Sequence, residues 1–169
     1  MANTKLDSTV CVVLYSCASG LSLILSIVPL LNLAAIPLHV LALVFWYIHL
    51  HRLWSAIPES SRSTSPGKAV GFLFIPCFNL YWVFRAYVSL VSDITRVSGS
   101  RGPEGLAISL AILHILSVLA FIPWVGSMFL IADYVVWLLF VLGVTKQANE
   151  MLEQLGTVRR NADVAVAQA

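Results

Sequence analysis

The sequence predicts an all-α integral membrane protein, with four transmembrane helices in two hairpins and a central re-entrant or interfacial broken-helix hairpin between them. Three observations lead there. Of 169 residues, 59% are apolar and only 11% are charged, against roughly 25% charged in soluble domains, and mean hydropathy is +0.89. Apolar runs long enough to cross about 30 Å of hydrocarbon, at about 1.5 Å of rise per residue, recur along the chain. The central apolar stretch is broken by Pro76, which removes a backbone donor from any helix crossing it.

Composition also excludes several classes. A net charge of +2, with no basic run interleaved with aromatics, gives no footprint for nucleic acid. The three cysteines, Cys11, Cys17 and Cys77, show neither paired spacing nor CxxC, so disulfides and metal sites are not expected. They read as buried thiols packing as small apolar groups. No cofactor motif is present, and the expected surroundings are the lipid bilayer and a membrane-protein partner or a second copy of the chain.

The first span covers about 10–28, too long for a signal-peptide core and without a small-residue cleavage site, so it reads as a retained helix. Ser19, Ser22 and Ser26 share one face of it, a surface on which a neighbouring helix can approach closely. After an uncharged turn at Pro29, the second span covers 35–53. His49, His51, Arg52 and Trp54 at its end read as an interfacial anchor set.

Residues 55–67 form a polar connector holding Pro58 and Pro66. The central hairpin follows over 68–96. Its first arm has about eight apolar residues, which rise only about 12 Å, so it cannot cross a bilayer. Such an arm can dip in and return where its irregular backbone is buried in protein. Arg85, Ser89, Ser92 and Arg96 recur at helical spacing on the return arm, Asp93 is placed to pair with Arg96, and Tyr81, Trp82, Phe84 and Tyr87 are aromatics of the interface type. Asn79 is placed to satisfy backbone groups freed by Pro76.

The third span covers 106–122, with Ala107, Ala111, His114 and Ser117 on about one face, and the fourth covers 128–144 beyond an uncharged turn at Pro123. The last helix should stop at Gly156, a natural C-cap residue. The chain thus reads as one transmembrane domain, 1–156, with a disordered tail, 157–169.

Pro29, Pro76 and Pro123 are spaced 47 residues apart, each opening a turn, and in the same frame His39 matches Asp133. A repeat of this kind dictates architecture, here helix, proline turn, helix, with the middle unit truncated. Charge placement agrees. With a re-entrant middle unit, Lys5, Arg52, Arg62, Lys68, Arg96, Arg101, Lys146, Arg159 and Arg160 lie on one side, which the positive-inside rule makes cytoplasmic together with both termini. Five transmembrane helices is the alternative.

Residues 66–84, PGKAVGFLFIPCFNLYWVF, resemble a motif of a family of small multi-helix bacterial inner-membrane proteins, a domain of unknown function. The resemblance implies a bacterial inner-membrane location and highlights Pro76, Asn79, Tyr81 and Trp82 without giving them a role. It brings no activity.

Ionisable residues inside a bilayer are costly and stand as functional hypotheses. His39 and Asp133 lie ten residues beyond their turn prolines, so they share a depth, and His114 and Ser117 reach a comparable region. These four form the expected intramembrane polar cluster. Arg85 is a candidate contact for a lipid headgroup phosphate. No GxSxG or HExxH motif points to an enzyme. The expectation is a non-catalytic scaffold or accessory subunit. The alternative is a small transporter or channel-like protein, since broken helices often line binding sites.

Overall fold

The computed structural model describes residues 9–26, 32–116 and 125–168, and it is all-helical over them. Six α-helices stand among the described residues: α1 (Thr9–Ser26), α2 (Asn32–Ala56), α3 (Pro66–Gly71), α4 (Phe78–Ser98), α5 (Glu104–Leu116) and α6 (Val125–Ala167). Pro29, Ser117 and Pro123, and with them two of the three turns of the 47-residue repeat, lie outside the described residues.

Side-chain pairs fix how the helices run. Arg52 Nη1 donates to Cys11 Sγ at 3.5 Å and Ser22 Oγ lies 3.5 Å from His39 Nδ1, so α1 and α2 are antiparallel. Tyr15 stacks against Trp137 with ring centroids 3.6 Å apart, and the Tyr134 hydroxyl donates to the Ser16 carbonyl, so α6 is antiparallel to α1 and parallel to α2. Pro103 packs against Gly143 while His114 and Asp133 share a cavity, so α5 and α6 are antiparallel.

Between these two antiparallel pairs sits the central hairpin. Ser65 accepts the Lys68 N–H as the N-cap of α3, and Pro66 opens the helix where a missing N–H costs nothing. A 3₁₀ turn, Phe72–Phe74, then leads into the reversal. Phe78 N–H donates to the Pro76 carbonyl at 2.7 Å across Cys77, which has φ 63° and ψ −43°. This is a γ-turn of the rare positive-φ kind. The Trp82 indole N–H then clamps the arms by donating to the Ala69 carbonyl at 3.0 Å. The tip reaches Tyr47, which meets Phe74 at 4.9 Å. Tyr47 is nine residues, or about 13 Å, above the end of α2, so the first arm rises partway along the bundle and turns back.

The hairpin enters and leaves at the same end. Ser63 N–H donates to Asp93 Oδ2 at 2.6 Å, Arg96 donates to the Ser61 carbonyl at 2.8 Å, and Arg96 also pairs with Asp93. Gly99 in the left-handed region, φ 67°, closes α4 there. Gln147 on α6 ties down the next loop by donating to Thr95 Oγ1 and to the Ser100 carbonyl. Arg52, Arg62, Arg96, Arg101 and Lys146 are therefore gathered at one end of the bundle.

The core is the seam where α2, α4, α5 and α6 meet, with Trp54, Phe140, Leu50, Leu90 and Ile94 fully buried. On α4 the buried set Val83, Ala86, Tyr87, Leu90, Val91 and Ile94 recurs at helical period. Outside, the rule of soluble domains is inverted. Ile36, Val40, Val44 and Ile48 on α2, and Ile131, Val135, Leu139 and Leu142 on α6, form exposed aliphatic stripes. Val10, Val13, Leu21 and Ile24 continue the pattern on α1, as do Ile108 and Ile112 on α5.

Several expectations need correction. Two helical stretches, Ile36–Ala56 and Ile131–Ala167, are long and apolar enough to cross a membrane, while the apolar parts of α1 and α5 are shorter among the described residues. The last helix does not stop at Gly156. It continues to Ala167, so residues 157–167 are helical rather than disordered. A glycine costs only about 1 kcal/mol relative to alanine inside a helix, and the flanking Leu, Arg and Ala residues favour continuation. His49 and Trp54, expected at an interface, are 1% and 0% exposed, because the hairpin and α6 cover that face of α2. Tyr87 is buried because α4 packs it against Trp46 of α2 and Phe140 of α6. Of the cysteines, Cys11 is buried but Cys17 and Cys77 are exposed.

Candidate functional site

A largely enclosed cavity of about 110 Å³ lies inside the bundle, among α1, α2, α4, α5 and α6, with Leu73 of the hairpin in its wall. It gathers His39, His114 and Asp133, three of the four residues expected to form the polar cluster. They meet there because His39 and Asp133 each stand about two turns inside the starts of α2 and α6 at one pole of the bundle, and the antiparallel α5 brings His114 to the same level. Ser117, the fourth, lies outside the described residues.

His39 is exposed and marks the mouth of the cavity, with Ser22 beside its ring. His114 and Asp133 are half-buried. Asp133 Oδ1 is buried without a hydrogen-bond partner, an arrangement that is costly where water is excluded. The rest of the wall is mainly aromatic: Tyr15, Trp46, Tyr47, Tyr87 and Trp137. Trp46 is the hub of this group, 5.3 Å from Trp137 edge to face, 5.8 Å from Tyr87, and bonded through its indole N–H to the Tyr87 hydroxyl. The Trp137 indole N–H is buried and unpartnered.

The aromatic wall is what the sequence left unread. A signal for it exists: Tyr15, Trp46 and Trp137 lie well inside apolar runs, away from the membrane-interface positions where Trp and Tyr usually collect. Nothing in their spacing shows that they converge, since that depends on the rotation of each helix about its axis.

The other singled-out residues lie apart from the cavity. Arg85 and Tyr81 are exposed on α4, Pro76 stands exposed at the hairpin tip, and Trp82 holds the arms together. Asn79 does not satisfy backbone groups freed by Pro76 through its side-chain oxygen. Its Oδ1 is buried without a partner, and it is the Asn79 backbone N–H that donates to the Ile75 carbonyl, at 2.9 Å.

Chemically, the cavity offers one carboxylate, two imidazoles and aromatic faces. It offers no nucleophile held by a base, and among the described residues no three His, Cys, Asp or Glu side chains come together to hold a metal ion. A second hollow lies between α2 and the hairpin, lined by Val44, Tyr47, Ile48, Val70 and Phe74, with His51 and Arg52 at one end. Comparison of the chain with protein-family models, with characterised proteins and with solved structures finds no match to any of them.

Proposed function

We propose that this is a multi-pass inner-membrane protein acting as a non-catalytic scaffold or accessory subunit of a membrane complex. The observation that carries the membrane reading is the set of outward aliphatic stripes on α1, α2, α5 and α6. A soluble monomer rarely exposes apolar patches beyond a few hundred Å², whereas lipid makes such stripes favourable. On this reading α1, α2, α5 and α6 are the four spans, α3 and α4 form a re-entrant hairpin, and the basic end faces the cytoplasm with both termini. The likeness of residues 66–84 to small bacterial inner-membrane proteins supports the location.

The accessory role is supported by what the fold spends its residues on. The described residues form helices of one bundle, and α6 runs on past Met151 as an exposed arm carrying Arg159 and Arg160. Extraction from native membranes into nanodiscs, followed by light scattering, tests this. The expected result is a stoichiometric assembly, with a partner or a second copy. A monodisperse monomer that retains full cellular activity overturns it.

One observation favours a second reading, a small transporter or channel-like protein. The cavity places an unpartnered carboxylate oxygen and two histidines between helices beside a broken-helix hairpin. Solute flux in proteoliposomes that is lost in Asp133→Asn, with folding retained, supports it. Absence of flux in the wild type sinks it.

A further inference from the structure

We propose that the cavity around Asp133 binds a small ammonium-type cation: ammonium itself or a short alkylamine in its protonated form. The assignment rests on the cavity being a solute site, the second reading above, and does not require the accessory role.

Two features of the wall converge on a cation. Tyr15, Trp46, Tyr47, Tyr87 and Trp137 present aromatic surface to the cavity, and aromatic faces attract cations through the ring quadrupole, Trp most strongly. Asp133 lines the same space, and its Oδ1 lies out of reach of water without a hydrogen-bond partner. Neither Lys nor Arg lines the cavity, so the protein supplies no permanent cation there. A carboxylate in a water-poor interior is costly until it is paired, and an occupant that is both a cation and an N–H donor removes that cost.

The size and chemistry of the space narrow the occupant. About 110 Å³ is smaller than the roughly 150 Å³ cavity that accepts benzene, which limits the guest to a few non-hydrogen atoms. Sodium and divalent cations require several oxygen ligands, whereas the polar groups of the wall are one carboxylate, two imidazoles and tyrosine hydroxyls, of which that of Tyr87 already accepts from Trp46. An ammonium group instead gains from both the carboxylate and the rings. Entry is past His39, the exposed residue of the wall.

The test is equilibrium titration of the full chain in nanodiscs with methylammonium chloride, with sodium chloride as the ionic-strength control. Trp fluorescence and the thermal midpoint are read together, since Trp46 and Trp137 border the cavity. The expected result is a saturable fluorescence change and a raised midpoint with methylammonium alone. Asp133→Asn should weaken binding about tenfold or more, the worth of one charge-assisted hydrogen bond. Leu43→Phe, which keeps Asp133 and fills the cavity from its half-buried wall position, should abolish binding and decides the matter where the Asp133 variant does not fold. A response equal in sodium chloride, no saturable response, or unchanged binding in Leu43→Phe overturns the proposal and leaves a cavity holding water alone. Flux is measured separately in proteoliposomes. Binding without flux keeps the site and removes the transporter reading, whereas flux without methylammonium binding keeps the transporter reading and removes this ligand.

Discussion

The indole N–H of Trp46 donates to the hydroxyl of Tyr87 at 3.0 Å, a bond between α2 and α4 with both residues buried. It joins the central hairpin to a long apolar helix at the level of the cavity. Tyr87→Phe removes the acceptor but keeps the ring, which also packs against Phe140 at 5.8 Å. The Trp46 N–H is then buried without a partner. We expect a loss of about 1 kcal/mol, since buried unsatisfied groups cost about 1–3 and interhelical bonds in membranes are worth less than that on average. Chemical unfolding in detergent measures it. An unchanged stability means that water or another acceptor replaces the hydroxyl.

At the base of the hairpin, Asp93 is the residue on which the connector depends. Its side chain is only 4% exposed, and it accepts from the Ser63 N–H and from Arg96. Arg96 is 62% exposed and stays hydrated without it, so the ion pair itself is worth little. The larger loss in Asp93→Ala is the Ser63 N–H bond to a charged acceptor, about 1.5 kcal/mol, since the exposed Ser63 can turn its N–H to water. The expected readout is faster proteolysis within residues 57–65. Asp93→Asn, which keeps an acceptor, should be cut more slowly than Asp93→Ala. Equal rates for the two variants would mean that charge, not the backbone bond, holds the connector.

The turn at Cys77 carries strain of a specific kind. A φ of 63° brings Cβ too close to the backbone in an L-residue, at a cost of about 1–2 kcal/mol. Glycine adopts this region freely but loses more entropy on folding. Cys77→Gly should therefore be neutral to stabilising by about 1 kcal/mol, and Cys77→Val destabilising, because branching at Cβ crowds the same backbone atoms. A thermal midpoint lowered in Cys77→Gly would show that the thiol makes a contact that offsets the strain.

How much of this was legible in the chain depended on how local the cause was. Pro76 and the short arm before it announced the broken hairpin, because a missing N–H acts on its own neighbours. The i,i+3 pair of Asp93 and Arg96 is equally local. His39 and Asp133 could be placed at one depth by counting from Pro29 and Pro123. The burial of His49, whose Nε2 lies 3.2 Å from Thr145 Oγ1, was not legible. It depends on which face of α2 the last helix covers, and a histidine near a span end carries no mark of that. The run of α6 past Gly156 is not legible for the opposite reason: a residue that often ends helices does so only when the chain beyond it gains from turning away.

Gly102 shows a close approach that only glycine permits. A Cβ there would lie 2.5 Å from Gln147 Oε1 and 2.6 Å from Val91 Cγ1. Gly102→Ala must displace Gln147, whose amide N–H groups reach Thr95 Oγ1 and the Ser100 carbonyl, each at 2.9 Å. The expected loss is about 1–3 kcal/mol, as for other overpacked sites. A double-mutant cycle separates the contributions. In a Gln147→Ala background the same change should cost markedly less, leaving only the contact with Val91. Additivity of the two changes would show that the glutamine moves aside freely.

The side on which the connectors lie is the most direct test of the whole arrangement. Residues 61 and 96 touch through the Arg96 bond to the Ser61 carbonyl, so the chain segments before and after the hairpin are in contact and, on the proposed membrane reading, share one face of the bilayer. If residues 69–90 crossed instead, Ser60 and Arg101 would lie on opposite faces, about 30 Å of hydrocarbon apart. Single cysteines at Ser60, Arg101 and Asp163, all exposed, placed in a chain with Cys11, Cys17 and Cys77 replaced, read this out. In intact cells all three should be shielded from an impermeant thiol reagent and should label fully once the membrane is opened. Labelling of Arg101 but not Ser60 in intact cells would make α4 a true span. It would also break the Ser61–Arg96 and Ser63–Asp93 bonds on which the base of the hairpin rests. Labelling of all three would keep the hairpin and invert the orientation, which the gathering of Arg52, Arg62, Arg96, Arg101 and Lys146 at that end opposes.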